Sequence, residues 1–273
     1  MLNEPAAPFL KWAGGKGQLL KHFDKHYPPQ FERYFEPFIG GGAVFFSFAA
    51  EHADLSATIS DCNAELINCY KVVRDCVDDL IEALKEHKNE SAHYYIVRSQ
   101  DVSRLTKVQR AARLIYLNRT CFNGLYRVNR SGQFNVPFGK YKNPRIVNEE
   151  NLHMASQVLQ RTTILNCPFS EIRNKVAVGD FVYLDPPYQP ISTTSNFTGY
   201  TAGSFTLKDQ EKLAQFVREL DRRGAYFMLS NSDNEQIEEL YQRFQIHRVD
   251  AARAINCKGN RRGRISELLI RNY

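Results

Sequence analysis

The sequence lacks any C-x-x-C pair and any long apolar run, and both absences exclude classes of protein. Its 273 residues contain six cysteines, and no two of them have the spacing of a zinc or redox motif. We therefore expect free thiols in a reduced, cytoplasmic setting. No apolar stretch approaches the ~18 residues of a membrane-spanning helix. The first residues also lack a basic segment followed by an apolar one, so we expect neither a membrane partner nor a secretion signal.

The histidines and cysteines are not spaced as metal ligands. Cys62, Cys69 and Cys76 recur every seven residues, which places them on one face of a helix and indicates core packing. His22 and His26 are four apart but lack the glutamate that the H-E-x-x-H motif requires, and we interpret them as surface histidines. We therefore expect that the protein needs no metal.

A third absence is local: residues 102–148 contain no aspartate or glutamate. A single-sign field over so short a stretch is typical of a surface that binds a phosphate backbone. The formal net charge of the whole chain is +6. The ten basic residues of the stretch are Arg104, Lys107, Arg110, Arg113, Arg119, Arg127, Arg130, Lys140, Lys142 and Arg145. A second acid-free candidate is the loop that carries Arg253, Lys258, Arg261, Arg262 and Arg264.

The basic stretch contains the pattern of a β-hairpin. Residues 126–129 and 133–136 alternate in character, with Ser131 and Gly132 between them at the turn. Such a hairpin can enter a DNA groove, where Arg127 could pair with a guanine edge and Leu125 could wedge into a base step. The alternative is a basic surface hairpin with Leu125 in the core.

The sequence that best indicates chemistry is Asp185-Pro186-Pro187-Tyr188. It follows an apolar, β-prone run at 181–184, which the two prolines must end. In open α/β sheets, ligands bind at the carboxyl ends of such strands. Asp185 and the Pro186 carbonyl could accept two N–H bonds from an exocyclic amine while Tyr188 stacks on its ring. The alternative is an ordinary strand-to-loop turn.

Two glycine-rich segments are candidate ligand-binding turns. Phe38, Gly40 and Gly42 form F-x-G-x-G between a predicted strand and helix, and these glycines permit positive φ and close approach of a cofactor. Phe45 replaces the third glycine of the dinucleotide fingerprint, so a nicotinamide site is disfavoured. About twenty residues on, Asp61 is placed to bind ribose hydroxyls or to cap the next helix.

The second segment brackets Lys16 with glycines, close after Trp12. A glycine-rich turn that opens a helix binds anions through free backbone N–H groups. The segment is not a P-loop, since Gly17 follows the lysine where Ser or Thr is required. Carboxylate or ligand-edge binding, and a flexible loop with a stray tryptophan, both remain open.

Strand and helix patterns alternate along the chain, which predicts an α/β fold with a mixed, largely parallel sheet. The last two strands have only a loop between them and are predicted to be antiparallel. Residues 189–205, polar and glycine-containing, are predicted to form a lid over the site. The seven predicted strands are RYFEPF, ATIS, TTILNC, FVYLD, AYFMLS, QIHRVD and SELLIRN. The main predicted helices span residues 18–26, 63–86, 107–117, 207–222 and 234–244.

Taken in order, five blocks resemble the Dam-type DNA adenine-N6 methyltransferases. The blocks are FLKWAGGKGQLL, EPFIGGGAVF, SDCNAELI, NRTCFNGLYRVNRSGQFNVPFGKYKNP and VYLDPPYQPISTTSNFTGYTAGSFTLKDQ. The resemblance runs nearly end to end. It implies a Rossmann-like, seven-stranded methyltransferase domain of residues 1–62 and 148–273. It further implies an inserted, mainly helical target-recognition domain of residues 63–147 that carries the hairpin.

The resemblance also implies a reaction and its residues. S-adenosylmethionine would be the methyl donor, adenine N6 in double-stranded DNA the acceptor, and GATC the target, in a cytoplasmic monomer of bacterial or phage origin. The implied catalytic motif is Asp185, Pro186, Pro187 and Tyr188. The implied cofactor-binding residues are Trp12, Lys16, Phe38, Gly40, Gly42, Asp61 and Asp185. The implied DNA-binding residues are Lys11, Arg119, Phe122, Asn123, Leu125, Arg127, Asn129, Pro137 and Lys140.

Two alternatives remain at this point. The acceptor could be RNA adenine, cytosine N4 or a protein glutamine, although the basic hairpin favours a nucleic acid. The protein could also be a non-enzymatic DNA-binding protein on a degenerate methyltransferase fold, against which the intact DPPY, glycine turn and Asp61 argue. In the favoured interpretation, adenine must leave the base stack to reach the methyl donor.

Overall fold

The seven strands expected from the sequence all form, and they lie in one sheet. The computed structural model describes residues 5–52, 54–188, 205–252 and 264–273. The strand order is β3-β2-β1-β4-β5-β7-β6, in which the first five strands are parallel and β7 is antiparallel to both neighbours. This confirms the predicted mixed sheet and its antiparallel final pair. The strands are β1 (Tyr34–Glu36), β2 (Ala57–Asp61), β3 (Thr162–Asn166), β4 (Phe181–Leu184), β5 (Tyr226–Ser232), β6 (Gln245–Ala252) and β7 (Arg264–Arg271).

Helices connect most of the strands. The α-helices of the described residues are α1 (Leu20–Phe23), α2 (Ala43–Glu51), α3 (Ala64–Asp75), α4 (Val77–Lys85), α5 (Ser91–Ser99), α6 (Lys107–Thr120), α7 (Glu149–Leu159), α8 (Leu207–Arg222) and α9 (Glu235–Tyr241). Helix α6 begins with a capping box in which Thr106 and Gln109 bond to each other's backbone. Among the residues that the structure describes, no helix is both long and apolar enough to cross a membrane.

Two predicted helices differ from the structure. The single helix over 63–86 is wrong: Cys76, at φ −143° and ψ 44°, breaks it into α3 and α4. Asp78 and Asp79 lie in the first turn of α4, where acidic side chains stabilise a helix N-terminus. The predicted helix over 18–26 is a series of short turns in which only α1 is α-helical. His26 there is partly buried against His247, with ring centroids 4.7 Å apart, and is not a surface histidine.

Alternating side chains of the central strands build a core on each face of the sheet. Tyr34 and Tyr183 face the layer that contains α2 to α7, whereas Phe35 and Val182 face the layer of α8 and α9. All four are almost completely buried. This two-residue alternation is the one that a pleated strand requires when both faces are covered.

Strand register brings the ends of β1, β2 and β4 to one edge of the sheet. Phe35 is opposite Thr58 of β2 and Val182 of β4. The carboxyl ends of these parallel strands therefore meet, and Asp61 and Asp185 emerge at the same edge. That edge positions the candidate active site.

The predicted hairpin is present and follows α6 along the chain. Val128 forms a bridge with Phe134, and the Asn129 amide donates to the Gln133 carbonyl over 2.8 Å. Gly132 has φ +75° in the turn. Residues 189–204 of the predicted lid and 253–263 of the second basic loop lie outside the described residues.

Candidate active site

A glycine turn between β1 and α2 lies under Trp12. Gly40 and Gly42 have φ of 46° and 74°, a region that favours glycine. A Cβ on Gly40 would lie 2.8 Å from Trp12 Cδ1, and one on Gly42 would lie 2.6 Å from the Tyr70 hydroxyl. That hydroxyl donates to the Gly40 carbonyl over 3.0 Å. Trp12 and Tyr70 therefore leave no room for a side chain at Gly40 and Gly42, so packing alone requires glycine there.

Asp61 ends β2 and faces this turn. Its Oδ1 accepts from the Asn63 amide over 2.9 Å, and its Oδ2 accepts from the Gly40 amide over 3.4 Å. Burial raises the pKa of Asp61 to about 6, against the lowering effect of these amides. The predicted helix-capping role was wrong: α3 begins at Ala64, and the adjacent Asn63 caps it.

Asp185 follows β4 and pairs with Lys16. The Lys16 ammonium lies 2.9 Å from Asp185 Oδ1, and the lysine side chain is only 4% exposed. The Ser230 hydroxyl donates to the same oxygen over 3.0 Å. Burial raises the pKa of Asp185, whereas Lys16 lowers it. The acid therefore has two donors that favour its charged form in a desolvated corner.

Tyr188 completes this corner. The Lys16 ammonium lies 4.6 Å from the centroid of the Tyr188 ring, within the range of a cation–π contact. The Tyr188 hydroxyl donates to Glu267 Oε2 over 2.6 Å. Pro186 is buried between the acid and the ring, so the rigid turn fixes how the two groups face each other.

Two acids of this corner were not among the predicted site residues. Glu267 on β7 accepts from Tyr188 and lies 3.7 Å from the Lys16 ammonium. Glu36 ends β1, is buried, and accepts from the Tyr34 hydroxyl over 2.6 Å. Burial, and then the charge of Asp185, raises the pKa of Glu36 well above its usual value. The sequence contained a signal for Glu36 and Glu267, because each is an acid within a largely apolar strand.

Helix α6 attaches the N-terminal segment to the hairpin region. Asn118 is fully buried, accepts from the Lys11 amide, and donates to the Lys11 and Gly124 carbonyls. The Trp12 ring stacks on Tyr126, with centroids 5.1 Å apart. The segment that carries Lys11 and Lys16 is therefore held against both the glycine turn and the base of the hairpin.

Most of the predicted DNA-binding residues lie on the exposed surface of this region. Arg127 is exposed, and its Nε donates to Asn135 Oδ1 over 2.7 Å. Phe122 is 48% exposed although it is a large apolar side chain. Asn123 and Lys140 both have φ of 55°. The remaining residues with exposed or partly exposed side chains are Lys11, Leu125, Asn129 and Pro137.

Other residues of the basic stretch turn inward. Arg119 donates to the Phe9 carbonyl over 2.8 Å, and burial lowers its pKa. Arg113 donates to the carbonyls of Val97 and Arg98. Leu125 packs against the core although its side chain is partly exposed. Fewer arginines of the stretch therefore present their guanidinium groups at the surface than its composition indicates.

The glycine turn and Asp61 suit the ribose end of a nucleoside cofactor. The carboxylate supplies acceptors for hydroxyl groups, and the absence of Cβ atoms allows close approach to the backbone. Phe38 lies beside this turn and packs on Phe169 and Phe205, which offers an aromatic wall. Within the described residues, no group of three His, Cys, Asp or Glu side chains could hold a metal ion.

Comparison with known proteins points to one family. Residues 12–255 match the family described as D12 class N6 adenine-specific DNA methyltransferase. The type II methyltransferase M1.LlaDCHI of Lactococcus lactis subsp. cremoris is 45% identical over 97% of this chain and 95% of its own length. The type II methyltransferase M.MjaIII of Methanocaldococcus jannaschii is 46% identical over 97% and 99%. The DNA adenine methylase of Escherichia coli (strain K12) is 37% identical over 96% and 93%.

Proposed function

The chain belongs to the D12 class of N6 adenine-specific DNA methyltransferases, and from that premise we propose its cofactor, its acceptor geometry and its target site. The methyl donor is S-adenosylmethionine, and the acceptor is an adenine everted from double-stranded DNA within GATC. The observation that carries the proposal is the corner of Asp185, Pro186 and Tyr188, at the same sheet edge as the glycine turn and Asp61.

The cofactor would lie along the carboxyl ends of β1 and β2. Asp61 would accept hydrogen bonds from its ribose hydroxyls, and Gly40 and Gly42 would allow it to approach the backbone. Trp12 packs on this turn, with its Cδ1 2.8 Å from where a Gly40 Cβ would stand, and would contact the cofactor there. Bound S-adenosylmethionine supplies an electrophilic methyl group, and the protein supplies its position.

The target base would be held by the DPPY corner. Asp185 and the Pro186 carbonyl would accept the two N6 hydrogens, while Tyr188 stacks on the purine. Both acceptors hold the amine hydrogens so that the nitrogen lone pair is aimed at the donor. After the nitrogen has gained the methyl group it carries a positive charge, and it loses one of these two hydrogens as a proton. Such positioning, together with charge placement in a desolvated site, is the main source of rate in a group transfer of this kind. A stacked adenine cannot reach this corner, which is why the base must leave the duplex.

Residues 63–147 would form the target-recognition domain, with residues 1–62 and 148–273 as the methyltransferase domain. Arg127 is exposed on the hairpin, where its two donor groups match a guanine edge. Leu125 would fill the space that the everted base leaves, and Lys11, Asn123 and Pro137 would contact neighbouring base pairs. The enzyme would act as a monomer on DNA in the cytoplasm.

The GATC assignment is a proposal about this chain, since its relatives include enzymes named as type II methyltransferases and others named as DNA adenine methylases. Duplex DNA of random sequence should be incubated with the purified protein and S-adenosylmethionine, and then sequenced for modified bases. We expect N6-methyladenine confined to GATC. Methylation of adenine in another sequence context would show that the target is not GATC. Methylation of cytosine would contradict the proposal that the DPPY corner binds adenine.

The role of Asp185 can be tested separately. Asp185→Ala removes the charged acceptor for the N6 hydrogens and should abolish turnover, while leaving DNA affinity within about twofold. Glu239→Ala, at an exposed position of α9, controls for the loss of a carboxylate. Methylation by Asp185→Ala at more than about one hundredth of the wild-type rate would contradict the proposed role.

A further inference from the structure

Lys16 makes the two contacts that the target adenine is expected to make. Its ammonium lies 2.9 Å from Asp185 Oδ1 and 4.6 Å from the Tyr188 ring centroid. A base that binds through this oxygen and this face of the ring would compete with the ammonium for both. The base can therefore take its place only if the lysine ammonium moves away.

The surroundings restrict where the ammonium can go. Lys16 is almost completely buried, and the pKa of Asp185 is raised by burial and by the charge of Glu267. If the lysine left for solvent, this carboxyl would lose the cation that keeps it charged. The ammonium must therefore stay near Asp185 after it gives up the oxygen that the base needs.

Glu267 is the acceptor within reach. Its Oε2 lies 3.7 Å from the Lys16 ammonium and already accepts from the Tyr188 hydroxyl over 2.6 Å. A lysine has a flexible four-carbon stem and a compact charge, so a shift of this size needs no backbone movement. Glu267 itself is fixed by the sheet, since it lies opposite Ser232 of β5 in the antiparallel register.

We propose that Glu267 is a positioning residue that receives the Lys16 ammonium when the target base enters, and so clears Asp185 and Tyr188 for that base. In the free enzyme the lysine covers the corner; with DNA bound it lies between the two carboxylates, nearer to Glu267. Glu267 also holds the Tyr188 hydroxyl, so the ring keeps its orientation while the occupant of its face changes. This inference rests on the proposed function, because it assumes that adenine binds at this corner.

The test separates the charge of Glu267 from its hydrogen bond to tyrosine. Glu267→Gln keeps an oxygen that can accept from Tyr188 but cannot hold the ammonium. We expect single-turnover methylation to fall about 10- to 100-fold, the range that corresponds to a lost charge-assisted hydrogen bond, with an unchanged KM for DNA. A duplex with 2-aminopurine at the target position lacks the N6 amine but keeps the purine ring that competes with the ammonium for Tyr188. Its fluorescence increase on binding should be smaller in this variant, because the ring enters the corner less often.

Removal of the lysine gives the decisive readout. Lys16→Met combined with Glu267→Gln eliminates the ammonium that blocks the corner, so the 2-aminopurine signal should recover although methyl transfer stays low. Tyr188→Phe loses only the hydroxyl that Glu267 holds, so it measures the part of the defect that comes from this hydrogen bond and should reproduce only a fraction of it. Glu239→Gln, at an exposed position of α9, removes the same charge outside this corner and should behave as the wild type.

Three results would overturn the inference. One is a Glu267→Gln single-turnover rate within about twofold of the wild type. Another is a fluorescence loss that the added Lys16→Met does not restore, which would indicate a merely structural role for Glu267. The third is a Tyr188→Phe variant that reproduces the whole defect. If the wild-type enzyme itself neither methylates adenine nor increases the 2-aminopurine signal, the proposed function fails, and that outcome is distinct from these three.

Discussion

The contact between Gly42 and Tyr70 yields a prediction whose size follows from the structure. Gly42 has φ +74°, and an added Cβ would lie 2.6 Å from the Tyr70 hydroxyl. Tyr70 is fully buried and donates to the Gly40 carbonyl, so it cannot move aside without losing that bond. Gly42→Ala therefore introduces both backbone strain and a clash.

The two contributions can be separated with a second glycine. Gly132 in the hairpin turn has φ +75°, but nothing lies within 4 Å of its added Cβ. Gly132→Ala should cost only the left-handed strain, about 1–2 kcal/mol of the free energy of unfolding. Gly42→Ala should cost that amount plus about 1–3 kcal/mol for overpacking. The difference between the two variants measures the clash.

Urea denaturation followed by circular dichroism gives both free energies of unfolding, and a double-mutant cycle tests the cause. Tyr70→Phe loses one hydrogen bond, about 0.5–1.5 kcal/mol, but removes the atom that the new Cβ would meet. Gly42→Ala with Tyr70→Phe should thus be more stable than the sum of the single changes predicts, by about 1–3 kcal/mol. Equal losses for Gly42→Ala and Gly132→Ala, or an additive cycle, would refute the reasoning.

Four further predictions concern residues of the site. Asn118→Ala should lower the free energy of unfolding by about 2–4 kcal/mol and weaken DNA binding, because it leaves buried backbone groups of the N-terminal segment without partners; an unchanged urea midpoint would contradict this. Because the pKa of Asp61 is raised to about 6, S-adenosylmethionine affinity should be about tenfold weaker at pH 5 than at pH 7 and above, and Asp61→Asn should abolish that dependence. Since this pKa lies above the unfolded value, the same group makes the unliganded protein less stable as pH rises from about 4 to 6, which unfolding at several pH values checks. Arg127→Ala should lose about 1–3 kcal/mol of discrimination at one guanine of the target, and equal selectivity at every position would reject that assignment.

The sequence predicted the sheet because its strands are short apolar runs bounded by clear stops. Phe181–Leu184 is followed by Asp185 and then two prolines, which cannot continue a strand. The single helix over 63–86 was wrong because its apolar stripe continues across Cys76 with almost the same period on both sides. Periodicity detects the buried face of a helix, but it does not detect a short break that leaves that face buried.

The sequence by itself determined the chemistry of the site as a set of separate strand ends: an acid at the end of β2, a glycine turn after β1, and the DPPY corner after β4. Only the tertiary structure decided which charged groups meet there. Lys16 and Glu267 are separated by most of the chain, yet their charged atoms lie 3.7 Å apart. Local patterns cannot encode such a pair, since it depends on β7 pairing with β5 beside β4 and on α6 holding the N-terminal segment in place. The same reason applies to the arginines of the basic stretch, whose spacing gives their charge but not whether each side chain points to solvent or to a buried carbonyl.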